Sequence, residues 1–237
     1  QKVYVANVGM YEYSRIMGIE DGDTVPSHLG YPPFAYGSDE AREGIYNDSL
    51  AIDGLGELNA PESFSVFAVD VSDVEHPTVV KKIKTGHLVG TLVEGIPAVG
   101  GSSPNSLVAT EHFVFVSNGN NDNISVIDIE KDTIVKEIYI KPDPRLQSFR
   151  GVIPFGLCLS PDHSKLYVAE SGINAVGVID IGTLRVEGHI PTGWFPSKLA
   201  VSNDGRKRIV ANAKGFGSGP NGGPDFEVEP FGSYTGN

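Results

Sequence analysis

Short runs of β-branched and aromatic residues recur along the chain, each bounded by Gly, Pro, Asn or Asp. That pattern predicts strands, and no segment carries a long apolar pattern at helical spacing. The clearest register lies between residues 151 and 215. Pro154-Phe155-Gly156-Leu157-Cys158-Leu159-Ser160 returns as Pro196-Ser197-Lys198-Leu199-Ala200-Val201-Ser202. Pro161-Asp162-His163 returns as Asn203-Asp204-Gly205, and Leu166-Tyr167-Val168-Ala169 as Ile209-Val210-Ala211-Asn212. The period is about 42 residues, the size of a four-stranded propeller blade. One small sheet cannot bury both of its faces, so a repeat of this kind requires stacked neighbours.

Upstream the register continues. The runs 104–110, 113–118, 124–129 and 134–140 read as first to fourth strands of one unit. The runs 3–7, 64–70 and 79–83 read as second, third and fourth strands of the unit before it. The predicted fold class is all-β, a β-propeller of four-stranded antiparallel blades. The chain holds about three and a half blades, whereas closed rings usually have four to eight. A seven-bladed ring is the expected whole. Val114, Val116, Val126, Leu166, Val168 and Val178 are the predicted core. The domain reading is a partial propeller over 1–237, with a long insertion at 8–62 and an irregular Gly-rich loop at 214–237.

Leu166-Tyr167-Val168-Ala169-Glu170-Ser171 and Val176-Gly177-Val178-Ile179-Asp180 resemble the YVTN-type repeat. The longer strings GGSSPN, GVIPFGL, GINAVGVID, HIPTGWFPS and NAKGFGSGPN resemble the propeller half of bacterial YncE-like proteins fused to an alkaline-phosphatase-like phosphoesterase domain. The resemblance covers nearly the whole chain. It implies export to the periplasm, the cell surface or the medium. No phosphoesterase residues lie in this stretch, so the resemblance brings no nucleophile and no metal ligand. The chain opens on Gln1 without Met, and Lys2-Val3-Tyr4 already reads as strand, which we take as the mark of a trimmed or processed product.

Composition agrees with a turn-rich β domain: 40% of residues are apolar, with 29 Gly and 16 Pro. The net charge of −12 argues against nucleic acid and anionic membranes as partners. No apolar run reaches the length of a transmembrane span. Cys158, the single cysteine, falls between two leucines and reads as a small buried thiol.

Loop lengths supply the functional expectation. In a four-stranded blade, second-to-third and fourth-to-first connections open at the same end. The long ones here, 8–62, 86–103, 141–153 and 214–237, are all of these two kinds. Long loops gathered at one end of a rigid scaffold carry recognition. The expected contact residues there are Arg150, Phe155, Trp194, Phe195, His87 and Asn105. Trp194, Phe195, Phe155 and Arg150 flank the starts of first strands, which line the channel of a propeller, and packing between blades competes with ligand contact as their role.

Other motifs carry less chemistry. Glu20-Asp21-Gly22-Asp23 lacks the spaced ligands of an EF-hand and reads as a solvated turn. Asn118-Gly119-Asn120-Asn121-Asp122-Asn123 falls where a tight turn joins two strands. The six histidines show no metal-ligand spacing, although His87 falls in a loop near the expected axis. Gly215-Phe216-Gly217-Ser218-Gly219 is followed by no Lys-Ser/Thr and no helix, so it is not a phosphate loop. Ser102, Ser103 and Ser197 sit in no nucleophile elbow. Neither a catalytic residue nor a metal ligand nor a cofactor is assigned.

The leading functional reading is a non-catalytic binding or scaffold module. Its partners would be the remaining blades or a second copy of the chain, an adjoining hydrolase domain, or a cell-surface ligand. One alternative is a phosphoesterase- or lactonase-like hydrolase with a site at the channel mouth. The other is a surface-layer or adhesion protein.

Overall fold

The structure is a computed structural model. It describes residues 1–7, 14–15, 29–30, 43–47, 50–53, 59, 61, 63–98 and 101–214. The chain divides into two compact units, Gln1–Ser103 and Pro104–Asn237.

In the first unit, β1 (Lys2–Asn7) is followed by two short antiparallel ribbons. These are β2 (Ser14–Arg15) with β3 (Leu29–Gly30), and β4 (Gly44–Asn47) with β5 (Leu50–Asp53). Then come β6 (Ser65–Asp70), β7 (Thr78–Lys84) and the small ribbon β8 (Leu92–Val93) with β9 (Ile96–Pro97). The main sheet has the order β1-β6-β7 and is antiparallel throughout. Alternation sets its faces: Val66 and Ala68 are fully buried, whereas Val3 and Val5 on the opposite face are exposed.

The second unit contains two complete antiparallel meanders. One is β10 (Pro104–Ala109), β11 (Phe113–Asn118), β12 (Asn123–Asp128) and β13 (Thr133–Tyr139). The next is β14 (Pro154–Leu159), β15 (Lys165–Glu170), β16 (Ala175–Asp180) and β17 (Arg185–Pro191). A pair, β18 (Pro196–Val201) and β19 (Arg208–Asn212), follows. In this unit the first strands of successive sheets, β10, β14 and β18, are spatial neighbours.

These sheets are propeller blades. The strands group as predicted, into three-quarters of a blade, two full blades and half of another.

The core of the second unit lies between blades. Phe115, Ile124, Val126 and Ile138 of one meander pack with Leu157, Leu166, Val168 and Ile179 of the next. Tyr167, Ala169 and Val176 on the reverse face of that second sheet pack with Leu199 of β18. Val114, Val116, Val126, Leu166 and Val168 are fully buried as predicted. Val178 is only half-buried, because it sits on the reverse face, beside the narrower cluster against β18 and β19. Cys158 is likewise half-buried on that side. Ile179→Val removes one methylene from the larger cluster and is expected to cost about 1 kcal/mol in urea unfolding.

Turns at the far ends of the strands repeat as the sequence does. Ser160 donates its hydroxyl to Asp162 at 2.5 Å and accepts the Lys165 amide at 2.9 Å. Ser202, Asp204 and Lys207 reproduce this at 2.5 and 2.9 Å. His163 stands where Gly205 stands in the next repeat, and both are left-handed, with φ of 55° and 70°. The Ser160 hydroxyl, with the Ser164 amide and hydroxyl, holds the Asp162 carboxyl down at about 2. Among the described residues no helix is long and apolar enough to cross a membrane.

Candidate functional site

The end of the sheets at which second strands turn into third strands is built from one repeated joint. Gly101-Ser102-Ser103-Pro104, Gly151-Val152-Ile153-Pro154 and Gly193-Trp194-Phe195-Pro196 each lead into a first strand. The residue before each proline is left-handed: Ser103, Ile153 and Phe195 have φ of 53°, 52° and 53°. A β-branched or aromatic residue avoids that region unless its surroundings impose it.

In the second unit those surroundings are visible. The Asp122 carboxylate, in the turn between β11 and β12, accepts the amides of Gly151 at 2.7 Å and Ile153 at 2.9 Å. The Ile153 carbonyl accepts the Ser171 amide at 3.1 Å. One repeat later, Asn174 Oδ1 accepts the Phe195 amide at 2.9 Å, and the Phe195 carbonyl accepts the Ala213 amide at 2.8 Å. Asp122 and Asn174 are themselves left-handed, with φ of 51° and 57°, which suits Asp and Asn. Each thus reaches from the turn of one blade to the start of the next. In the first unit the corresponding residue is Phe64, φ 44°, whose ring lies against Gly101 and fills the space a Cβ there would need.

Hydroxyls add further ties. Ser117 donates to the Phe155 carbonyl at 2.6 Å, and Ser171 donates to the Pro196 carbonyl at 2.6 Å. The framework under this end of the second unit is therefore hydrogen-bonded from blade to blade.

On this framework sits a rim of exposed apolar side chains. Tyr139, Leu146, Phe149, Phe155, Ile190 and Trp194 are between 36% and 49% exposed. All six lie at the joint end of the second unit, on strand termini or on the connection from β13 to β14. Three of the expected contact residues belong to or border this rim. Phe155 is the second residue of β14. Trp194 is 41% exposed, and its carbonyl accepts the Lys214 amide at 3.3 Å. Arg150 is exposed, its guanidinium donating to the carbonyls of Gln147 at 3.3 Å and Phe149 at 3.1 Å.

Phe195 is half-buried, and its backbone amide is held by the joint. Asn105 is half-buried in β10, and its amide covers Gly119 in the adjacent turn. His87 is half-buried in the first unit, between β7 and β8. The Asn118-to-Asn123 stretch is the tight turn expected of it, its ends closed by a 2.8 Å bond from Asn118 Nδ2 to Asn123 Oδ1. Glu20-Asp21-Gly22-Asp23, His28 and the Gly-rich stretch from Gly215 lie outside the described residues, as does most of 8–62.

Several residues of this end were not singled out from the sequence. Asp122 and Asn174 stand at the same place in successive repeats, and the spaced Gly-x-x-Pro strings flag the joint they hold. Glu170 occupies the position of Asn118 in the repeat before and Asn212 in the repeat after. It is fully buried and paired with His189, Nδ1 lying 2.9 and 2.8 Å from its two oxygens. An acid where the neighbouring repeats carry an amide was the available signal.

Many solved structures are similar to this chain, two of them as follows. Hydrazine synthase of Kuenenia stuttgartiensis is 25% identical, with 82% of this chain and 46% of that chain covered, at a TM-score of 0.49. A protein of Bacteroides fragilis NCTC 9343, provisionally assigned as a 6-phosphogluconolactonase, is 18% identical, with 65% and 46% covered, at a TM-score of 0.43. The chain spans less than half the length of either. No family model matches the chain, and no curated protein matches it.

Proposed function

We propose that this chain is a binding or scaffold propeller module of an exported bacterial protein of the YncE-like kind, working through the joint end of its second unit. The observation that supports this reading is the exposed rim of Tyr139, Leu146, Phe149, Phe155, Ile190 and Trp194 on a hydrogen-bonded frame. Large side chains held half-exposed on rigid supports offer contact area at low entropic cost. Arg150 adds a guanidinium beside them, and Arg and aromatics contribute most per side chain in interfaces. The partner in this reading is an adjoining phosphoesterase domain or a cell-surface ligand, with the remaining blades or a second copy of the chain completing the ring.

The test is binding of the chain to isolated bacterial envelope fractions, beside a turnover assay with p-nitrophenyl phosphate and simple lactones. Alanine at Arg150, Phe155 or Trp194 is expected to weaken retention by about 1–2 kcal/mol each while the circular dichroism spectrum stays unchanged. Metal-dependent hydrolysis by the chain, abolished by His87→Ala, would replace the binding module with a hydrolase.

A further inference from the structure

Glu170 ends β15 with its side chain fully buried. Both carboxylate oxygens lie against His189 Nδ1, at 2.9 and 2.8 Å. The other ring nitrogen, Nε2, lies 2.9 Å from the carbonyl oxygen of Lys141, in the connection that leaves the preceding blade. Gly177, paired with His189 across the sheet, leaves the room the carboxylate occupies: a Cβ at that position would collide with Oε1.

Counting protons in this arrangement gives a definite result. A carbonyl only accepts, so Nε2 must carry a hydrogen to bond Lys141. Nδ1 faces a carboxyl group, so a second hydrogen must sit either on Nδ1 or on a Glu170 oxygen. Together the pair holds one proton more than a carboxylate and a neutral imidazole would. Without it, only one ring nitrogen is protonated. A Glu170 anion then draws that hydrogen to Nδ1, leaving the bare lone pair of Nε2 facing the Lys141 oxygen.

We propose that Glu170, His189 and the Lys141 carbonyl form a proton-dependent latch, closed while the pair holds its shared proton and open at Lys141 once that proton is lost. The connection it fastens is the one carrying Phe149 and Arg150. The Lys141 ammonium donates to the Phe149 carbonyl at 2.8 Å, so movement at Lys141 is passed directly to that segment.

Other charges around the latch are already engaged. Arg145 is held by Asp143 at 2.6 Å, and Arg150 by backbone carbonyls. Asp122 is occupied by the Gly151 and Ile153 amides. In the same blade, Lys165 pairs with both Asp180 and Glu187 at the opposite end of the sheet. In the preceding blade, Glu137 and Tyr139 pair with Ser125 and Asn123, on the face turned away from this contact, and Lys136 is exposed. His189 is the charge that acts on Glu170.

Titration has a definite direction. Burial pushes the Glu170 carboxyl up from 4.5 to about 7, while the hydrogen bond and charge of His189 pull it down. A raised value means that the stabilising protonated form is fully present below 4.5 and is lost as pH rises through about 7. The proton is shared across the Glu170–His189 contact, so its loss opens the contact as a unit.

The experiment is amide hydrogen exchange of residues 141–153, corrected for intrinsic rates, at pH 6 and pH 8.5, together with ring-nitrogen NMR shifts of His189. In the unaltered chain, protection of the Phe149 and Gly151 amides should fall by roughly tenfold at the higher pH, an opening free energy smaller by about 1.4 kcal/mol, as the pair loses its shared proton. Glu170→Gln can donate to Nδ1 and leaves Nε2–H on Lys141 at either pH, so its protection should stay high throughout. His189→Ala should be low throughout. Equal protection at both pH values in the unaltered chain, or an unchanged pH response in either variant, would overturn the latch. If neither variant folds, the unaltered chain decides: a His189 ring that titrates without any change in loop protection overturns it.

Discussion

Alanine at Gly156 should cost about 3 kcal/mol, the upper end of what overpacking a tight contact costs. The Cβ would lie 2.5 Å from the Ser197 carbonyl oxygen and 3.0 Å from the Lys198 Cα. Both are backbone atoms of β18, so no rotamer change can relieve the clash, and β14 and β18 must separate. That separation loosens the cluster of Tyr167, Ala169, Val176 and Leu199 between the two sheets. Gly188→Ala is the matched control, since a Cβ there meets nothing within 4 Å. Urea unfolding should show a lower midpoint with an unchanged slope for Gly156→Ala and no loss for Gly188→Ala. Equal midpoints for the two would mean that the inner strands are not in close contact.

The second large effect belongs to Asp122→Ala. The Gly151 and Ile153 amides lose their acceptor together, and the side chain that receives them is 4% exposed. Hydrogen bonds to a charged group are worth about 1.5–3 kcal/mol each and are not additive here, so a loss of roughly 2–4 kcal/mol is expected. Asp122→Asn should lose about half as much, because the equivalent Asn174 already serves one amide in the next repeat. Exchange at the Ile153 amide gives a local readout. If that amide exchanges no faster in Asp122→Ala than in the parent, the carboxylate does not hold the left-handed turn.

The blades were legible because strand periodicity and a repeat with fixed offsets both depend on local sequence. Pro154 aligned with Pro196, and each proved to open a first strand. Val178 was misjudged because alternation assigns a face but not how well that face is covered. That the connections at 86–103 and 141–153 each run from a fourth strand to a first could be read from loop lengths. Which side chains meet there could not. Phe195 and Trp194 are neighbours in sequence, yet one is pinned by Asn174 and the other is presented to solvent. The Glu170–His189 contact was out of reach for a different reason. It joins a second strand to a fourth across Gly177, and then to a carbonyl in the preceding blade. Backbone acceptors carry no residue signature, so no spacing rule could have suggested the third member.

Because each joint runs from the turn of one blade to the start of the next, the repeat from Gly151 to Thr192 carries one half of a joint at its start and one half of the next in its own turn. It brings the Gly151 and Ile153 amides at its start and Asn174 in the turn between its second and third strands. A duplicated copy of that stretch, inserted in tandem, would seat its first amides on the Asn174 before it and offer its own Asn174 to Phe195. The inserted blade would leave no new backbone group without an acceptor except the second amide that asparagine serves less well than aspartate. Blade number can therefore grow by whole genetic units cut at these glycines, at a cost confined to a single contact per insertion.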